Sequence, residues 1–297
     1  MSIIGRILKR PEVLFAPIVI VFVVVFIIPF ISTIYYSLTD RDALIPDKSK
    51  YVGLANYEKT IQDNMFWNSI IRGAVYSIVS AGFQTFIGLV FALLLQSRMP
   101  GRALMKIAVL LPYFIPTIVV ATLWRYLFDD SYGLINLILL KLNIISDKIA
   151  WLANPSTSLL SAIVMGTWEF MPFAFIIFLA ALSRIPLDIY YAAMVDGASR
   201  WRCFWDMTLP YLKKTIVLVF FFRAIWMFNK FDVIWLLTKG GPLHSSEHLP
   251  IYIYINAFFR YQFGLGSCMA MITFIMLVVL SAAYMSILKP EPTQKKL

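Results

Sequence analysis

Charge is scarce in this sequence of 297 residues: Asp, Glu, Lys and Arg make up 14%, against 60% hydrophobic residues and a mean hydropathy of +0.78. Soluble domains run near 25% charged and about 45–50% apolar. No water-soluble globule can hide so much apolar surface. Two cysteines rule out a disulfide scaffold, and 13 glycines rule out a collagen-like fibre. The low polarity excludes a disordered chain. No G-x-x-x-x-G-K-[ST] loop is present, so the chain cannot cradle nucleotide phosphates by that route. A polytopic integral membrane protein remains.

What is abundant is long apolar runs. A span takes about 20 such residues. Val13–Tyr36, Ala74–Leu95 and Leu265–Leu288 contain no charge at all. Ile107–Trp124 is extended by a snorkelling Arg125, Leu159–Leu182 is broken only by Glu169, and Thr215–Leu237 carries Arg223, Lys230 and Asp232. The expected architecture is all-α, with spans at 13–37, 74–96, 104–128, 159–182, 213–238 and 265–288. The runs are too continuous for barrel strands. The first run is too long for a signal-peptide core and ends in IYYSLTD without small residues, so it reads as a retained helix. Leu134–Leu140 and Leu249–Phe259 are too short to cross and read as elements of external loops.

The basic residues set the orientation. Arg6, Lys9, Arg10, Arg98, Arg102, Lys106, Arg184, Arg200, Arg202, Lys213, Lys214, Lys289, Lys295 and Lys296 fall on one side. The opposite loops hold Arg41, Lys48, Lys50, Lys59, Lys141, Lys148, Lys239 and Arg260, diluted by acids. The positive-inside rule then puts a segment at 1–12, a loop at 183–210 and a tail at 289–297 in the cytoplasm. The net charge of +10 is accounted for by topology, so no nucleic-acid partner is expected. Cys203 falls in a cytoplasmic loop and Cys268 in the last span, so no disulfide is expected either.

One pattern has a catalytic look. His244-Ser245-Ser246-Glu247-His248 fits the H-x-x-E-H zinc-protease spacing, which works only on a helix. Gly240-Gly241-Pro242 before it and Pro250 after it predict an exposed loop instead, and no metal site is expected.

The loop at 183–210 is the most informative segment. Pro186 can open a helix at its first position, and Asp188 suits the positive first turn. Ala192 and Ala193 form helix with little bulk, and Gly197 permits a left-handed turn. Trp201, Phe204, Trp205 and Leu209 follow at helical spacing until Pro210. The residues Ile185, Pro186, Asp188, Ile189, Tyr190, Ala192, Ala193, Asp196, Gly197, Ala198, Phe204, Leu209 and Pro210 match the pattern I-P-x-E-L-Y-E-A-A-x-x-D-G-A…F…L-P. This loop resembles the EAA motif in permease subunits of binding-protein-dependent ABC importers, in the carbohydrate-uptake branch typified by the maltose and glycerol-3-phosphate transporters. Tyr191 stands where the motif has Glu. FNKFDVIWLLTKGGP (Phe228–Pro242), LPIYIYINAF (Leu249–Phe258) and YVGLANYEK (Tyr51–Lys59) extend the resemblance.

That resemblance implies a six-helix MetI-like fold in a bacterial or archaeal cytoplasmic membrane. It implies a second homologous permease, an extracytoplasmic sugar-binding protein, and two cytoplasmic ATPase subunits that hold ATP and Mg²⁺, with no cofactor in this chain and no enzymatic activity of its own. Ala192–Ala198 would be the coupling helix. A stand-alone carrier using Glu169, Arg223 and Asp232 as an ion relay is the alternative.

For the path itself, Arg223, Trp226, Met227 and Lys230 share one face of a continuous helix, with Glu169 as the nearest counter-charge. Membrane charges are tolerated only towards a cavity or a partner, so this face should line the path. Cargoes consistent with it are a neutral oligosaccharide or polyol, or an acidic sugar or glycerophosphate. Asn229 and Asp232 should point elsewhere and serve, with Gly240, Gly241 and Pro242, in packing and an outer gate. Pro29, Pro112, Pro116 and Pro172 lie inside spans, where they interrupt helical hydrogen bonds.

Overall fold

The computed structural model describes residues 11–97 and 99–287. The tail expected at 289–297, most of the segment at 1–12, and the orienting charges Arg6, Lys9, Arg10, Arg98, Lys289, Lys295 and Lys296 lie outside the described residues. Among the described residues every regular element is helical, apart from one isolated bridge between Thr39 and Tyr51. They fall into two compact units, one up to Trp67 and from Tyr252 onward, the other Asn68–Ile251.

In the first unit, α1 (Pro11–Phe22) runs through a π segment, Val23–Ile27, into α2 (Ile28–Ser37). Pro29 cannot donate to the preceding turn, and the widened segment just before it is where the helix accommodates that loss. Nearly every residue of Phe15–Tyr35 is exposed and apolar, a surface made for lipid. After α3 (Ala55–Ile61), α14 (Phe263–Ile287) packs along α2, with Phe30 edge-on to Phe274 at 5.1 Å and Tyr36 to Phe263 at 5.7 Å. Asn56 Nδ2 donates to the carbonyls of Ser37 and Thr39, closing the end of α2.

The second unit holds most of α4 (Asn64–Leu94), then α5 (Arg102–Phe114), α6 (Thr117–Leu127), α7 (Leu134–Lys141) and α8 (Ser158–Leu182). It continues with α9 (Leu187–Val195), α10 (Arg200–Cys203), a π segment Phe204–Thr208, α11 (Leu209–Phe228) and α12 (Phe231–Thr238), and α13 (Leu249–Tyr254) begins at its end. The short apolar runs near residues 134 and 249, whose length alone left helix and strand both open, are helices. A core of Phe175, Phe178, Leu182, Leu212 and Val219 joins α8 to α11. Gly88 lets α4 sit against α8: a Cβ there would meet the Ala174 Cβ at 2.7 Å and the Phe175 nitrogen at 2.9 Å.

Among the described residues, four helices are long and apolar enough to cross a membrane: Phe15–Ser37, Asn64–Leu94, Ser158–Leu182 and Phe263–Ser286. The third expected span is not one rod. α5 and α6 meet at 99°. Pro116 lacks an N–H and forces Ile115 into an extended conformation (ψ 132°), so the helix stops and restarts. The fifth expected span is divided as well. α11 ends at Phe228, Lys230 is extended (ψ 93°), and α12 starts at Phe231. Pro172, by contrast, sits inside α8 without ending it.

Candidate functional site

The two helix breaks open onto one cavity of about 480 Å³. Its walls are Tyr113 to Thr117 at the α5–α6 bend, Glu169 and Phe170 on α8, Arg223, Trp226 and Met227 on α11, and Lys230 in the second break. All five path residues expected from sequence therefore converge, though not on one helical face. Lys230 arrives from beyond the helix end, carried by the break rather than by periodicity.

Arg223 is almost fully buried, and its counter-charge is not Glu169 as the spacing suggested. Its Nε donates to Gln84 Oε1 at 2.6 Å, and its Nη2 lies 3.4 Å from the Met227 sulfur. Gln84 in turn donates from Nε2 to the Gly166 carbonyl at 3.0 Å. That second bond fixes the amide, because only the NH₂ can face a carbonyl, which leaves oxygen for Arg223. The guanidinium lies among the rings of Phe170, Phe173 and Trp226, each 5.3–5.4 Å away. Gly166 is needed where it stands, since a Cβ would meet the Tyr76 hydroxyl at 2.9 Å.

Glu169 accepts from the Thr117 hydroxyl at 2.6 Å through Oε1, while its buried Oε2 has no hydrogen-bond partner. Lys230 packs over the Phe170 ring at 4.6 Å and pairs with Asp232 Oδ2 at 2.9 Å. Asp232 was expected to point away from the path; it is tied to Lys230 because it sits in the first turn of α12, just after the break. Asn229 caps α11 and donates to the Ile225 carbonyl, as a packing residue would. Gln84, Thr117, Phe170 and Tyr113 carry no sequence signal of their own. Only the X-Pro-Thr step at 115–117 hinted that the chain opens there.

The loop at 183–210 is a helix–turn–helix. Pro186 is the residue before the helix rather than its first residue, with Leu187 beginning α9. α9 closes on a Schellman turn: Gly197 (φ +78°) donates to the Met194 carbonyl and Ala198 to the Ala193 carbonyl. Ser199 then caps α10 by accepting from the Arg202 N–H. The Tyr190 hydroxyl meets Thr208 Oγ1 at 2.8 Å and ties the arms together. The two alanines divide: Ala193 is buried inside the loop and Ala192 faces outward. Asp188, Tyr191 and Asp196 are exposed, Leu209 is half-buried and Pro210 exposed at the entry to α11. Leu187, Tyr191, Met194 and Val195 form an exposed apolar stripe on α9, with Val195 88% exposed.

The His244–His248 stretch is neither helical nor exposed throughout. His244 has φ +61° and bonds Glu247 Oε2 at 2.6 Å, whereas His248 is fully buried and turns its Nε2 to the Lys230 carbonyl at 3.1 Å. A carbonyl can only accept, so Nε2 carries the proton. Burial pushes the His248 imidazole down to about 4. The two imidazoles thus serve different partners, and the zinc-protease spacing is fortuitous. Gly240 (φ +89°) lets the turn close, for a Cβ would meet Glu247 at 3.1 Å, and Gly241 and Pro242 line a smaller hollow with Arg125 and Lys239.

Residues 84–290 match the family described as the binding-protein-dependent transport system inner membrane component. The chain belongs to this family. As an inner membrane transport component it is similar to the trehalose/maltose transport system permease protein MalF of Thermococcus litoralis, 33% identical over 94% of this chain and 93% of that protein. It is also similar to the sulfoquinovosyl glycerol permease SmoG of Agrobacterium fabrum, at 28% identity over 94% and 90% of the two chains. The diacetylchitobiose permease DasB of Streptomyces coelicolor shares 30% identity over 84% and 76%. Among solved structures, a bacterial ABC transporter importing the acidic polysaccharide alginate shares the fold, with a TM-score of 0.80 over 96% of this chain and 98% of that chain at 24% identity. The same kind of transporter in complex with an alginate-bound periplasmic protein gives 0.77 over 94% and 95% at 25% identity. The MetI-like, all-helical inner-membrane permease expected from the loop motif is therefore what the chain is.

Proposed function

We propose that this permease conducts a neutral sugar, as an oligosaccharide or polyol, handed over by an extracytoplasmic binding protein and driven by partner ATPases. The observation that carries the reading is the cavity at the two helix breaks. It joins an unpartnered carboxylate oxygen on Glu169, a guanidinium on Arg223 and the half-exposed ring of Trp226. Sugars need that mixture: acceptors and donors for hydroxyls, and a flat apolar surface for the C–H face. The charges favour a neutral cargo over an acidic one. Lys230 is balanced by Asp232, and Glu169 faces the same space as Arg223, so an anion would gain one cation and meet one carboxylate. The sugar-permease relatives support the class.

The stripe of Leu187, Tyr191, Met194 and Val195 supports docking onto an ATPase subunit, which would bind ATP and Mg²⁺ and move α9 with it. A second, homologous permease would complete the path. The ion-relay alternative finds no support in the side-chain bonds, since Arg223, Glu169 and Asp232 each bond a different partner.

Co-reconstitution in liposomes tests the reading. Radiolabelled maltose or maltotriose uptake that needs ATP, the ATPases and the binding protein supports it. Uptake by this chain alone under a proton or sodium gradient overturns it.

A further inference from the structure

A second cavity, of about 400 Å³, lies at the other end of α6. α6 contributes Thr122, Arg125 and Tyr126, and the following loop closes the hollow with Asp129, Tyr132 and Trp151. Thr117, at the start of the same helix, lines the Glu169–Arg223 cavity. At about 1.5 Å per residue, Thr117 and Arg125 are roughly 12 Å apart along the axis. Along this stretch Ile118, Val119, Thr122, Leu123 and Tyr126 line a shallow groove that shares Thr122 and Tyr126 with the outer cavity. One helix therefore presents an inner cavity, a groove and an outer cavity in succession.

The outer cavity has the chemistry of a sugar site. The Trp151 ring is held by its Nε1–H to Asn136 Oδ1 at 2.9 Å, and Tyr126 and Tyr132 stand exposed around it. The Asp129 Oδ1 atom accepts the N–H groups of Ser131 and Tyr132 at 2.9 and 3.1 Å, which orients the carboxylate. The backbone N–H of Tyr132, above all, holds this carboxyl below its ordinary value, so it stays an acceptor. Arg125 makes no hydrogen bond or ion pair among the described residues, so its fork is free to grip a vicinal pair of hydroxyls.

We propose that this outer cavity is a second carbohydrate subsite, which holds one sugar residue of a neutral oligosaccharide at the mouth of the path while α6 guides the leading residue to the inner cavity. The proposal rests on the sugar reading of the inner cavity for its direction, but the outer site stands on its own residues. Its concave lining, in which the rings of Tyr126, Tyr132 and Trp151 stand beside Arg125 and Asp129, suits a sugar ring.

Photolabelling with a diazirine-bearing maltotriose, on the full chain in lipid nanodiscs, tests it. Peptide mapping should find adducts within 122–132 or 150–153, and separately within 113–117 or 223–230, both displaced by excess maltotriose. Arg125→Ala and Tyr126→Leu alter exposed side chains and should each cut the outer adduct roughly tenfold, the loss expected for a charge-assisted or stacking contact, with the inner adduct unchanged. Adducts confined to the inner cavity overturn the subsite, as does outer labelling that neither substitution reduces. If the substitutions abolish stimulation by the binding protein yet leave outer labelling intact, the patch is a protein contact and the subsite is refuted. Outer adducts without inner ones support the subsite and overturn the inner reading instead.

Discussion

Gln84 holds Arg223 by a 2.6 Å bond to Nε, and holds itself by a 3.0 Å bond to the Gly166 carbonyl. A neutral amide thus anchors a buried guanidinium between α4, α8 and α11, with no acid required. The cation is fixed in place while its charge stays available to the cavity.

Gln84→Leu leaves that guanidinium unsatisfied. Losing a buried hydrogen bond to a charged group costs about 1.5–3 kcal/mol. Uptake should fall by at least tenfold and the thermal midpoint should drop, while Gln84→Glu should recover the midpoint only in part, because its carboxylate can accept from Arg223 but cannot donate to the Gly166 carbonyl. A transport assay with a detergent melting curve decides, and a midpoint unmoved in Gln84→Leu counts against the anchor.

At Gly197 a Cβ would touch nothing, so Gly197→Ala is penalised by backbone conformation alone, about 1 kcal/mol at φ +78°. It should fold and transport more slowly. Met194→Lys and Val195→Lys change only the exposed stripe and should leave the chain inserted while it loses association with an ATPase subunit in co-purification. Ala193→Asp is a different experiment, since Ala193 is buried and the loop itself should come apart.

Gly88→Leu should be damaging without touching a cavity. The side chain would be driven into Ala174 and the Phe175 backbone, and the cost is of order 1–3 kcal/mol or more. Yield of folded protein by size-exclusion chromatography is the readout; a normal yield refutes the tight α4–α8 contact.

His248 makes stability depend on pH. Its folded value is lowered to about 4 by burial, against about 6.5 when unfolded, so the neutral form is the folded one. Its contribution, on the order of 3 kcal/mol, is fully present above 6.5 and is lost as pH falls towards 4. His248→Gln should flatten the melting profile over that window, and a profile unchanged by it counts against the buried neutral ring.

How much of this was legible beforehand depends on whether a residue type announces its role. Gly197 between Asp196 and Ala198, with Pro186 and Pro210 flanking, is local chemistry, and the turn formed as read. Pro116 could have been read as a stop, since the residue before a proline leaves the helix, but apolarity on both sides masked it. The break at Asn229–Lys230 has neither Gly nor Pro, and the contact that fixes it is tertiary: the Lys230 carbonyl accepts from His248, eighteen residues on. Gln84 is one amide in a long apolar run, and no periodicity singles out a residue whose partners lie on other helices. Charge alone pairs Glu169 with Arg223, whereas in the structure Glu169 accepts from Thr117 and Arg223 donates to Gln84.

The bend at Ile115–Pro116 also bears on the bilayer. The 13 residues of α5 rise about 20 Å and the 11 of α6 about 16 Å, each well short of the roughly 30 Å of hydrocarbon in a typical membrane. Lipid acyl chains alongside this segment must thin locally, or be kept away by a neighbouring protein surface. Membrane thickness thereby becomes a control variable: short-chain lipids accommodate the lone subunit, and long-chain lipids drive it towards a companion.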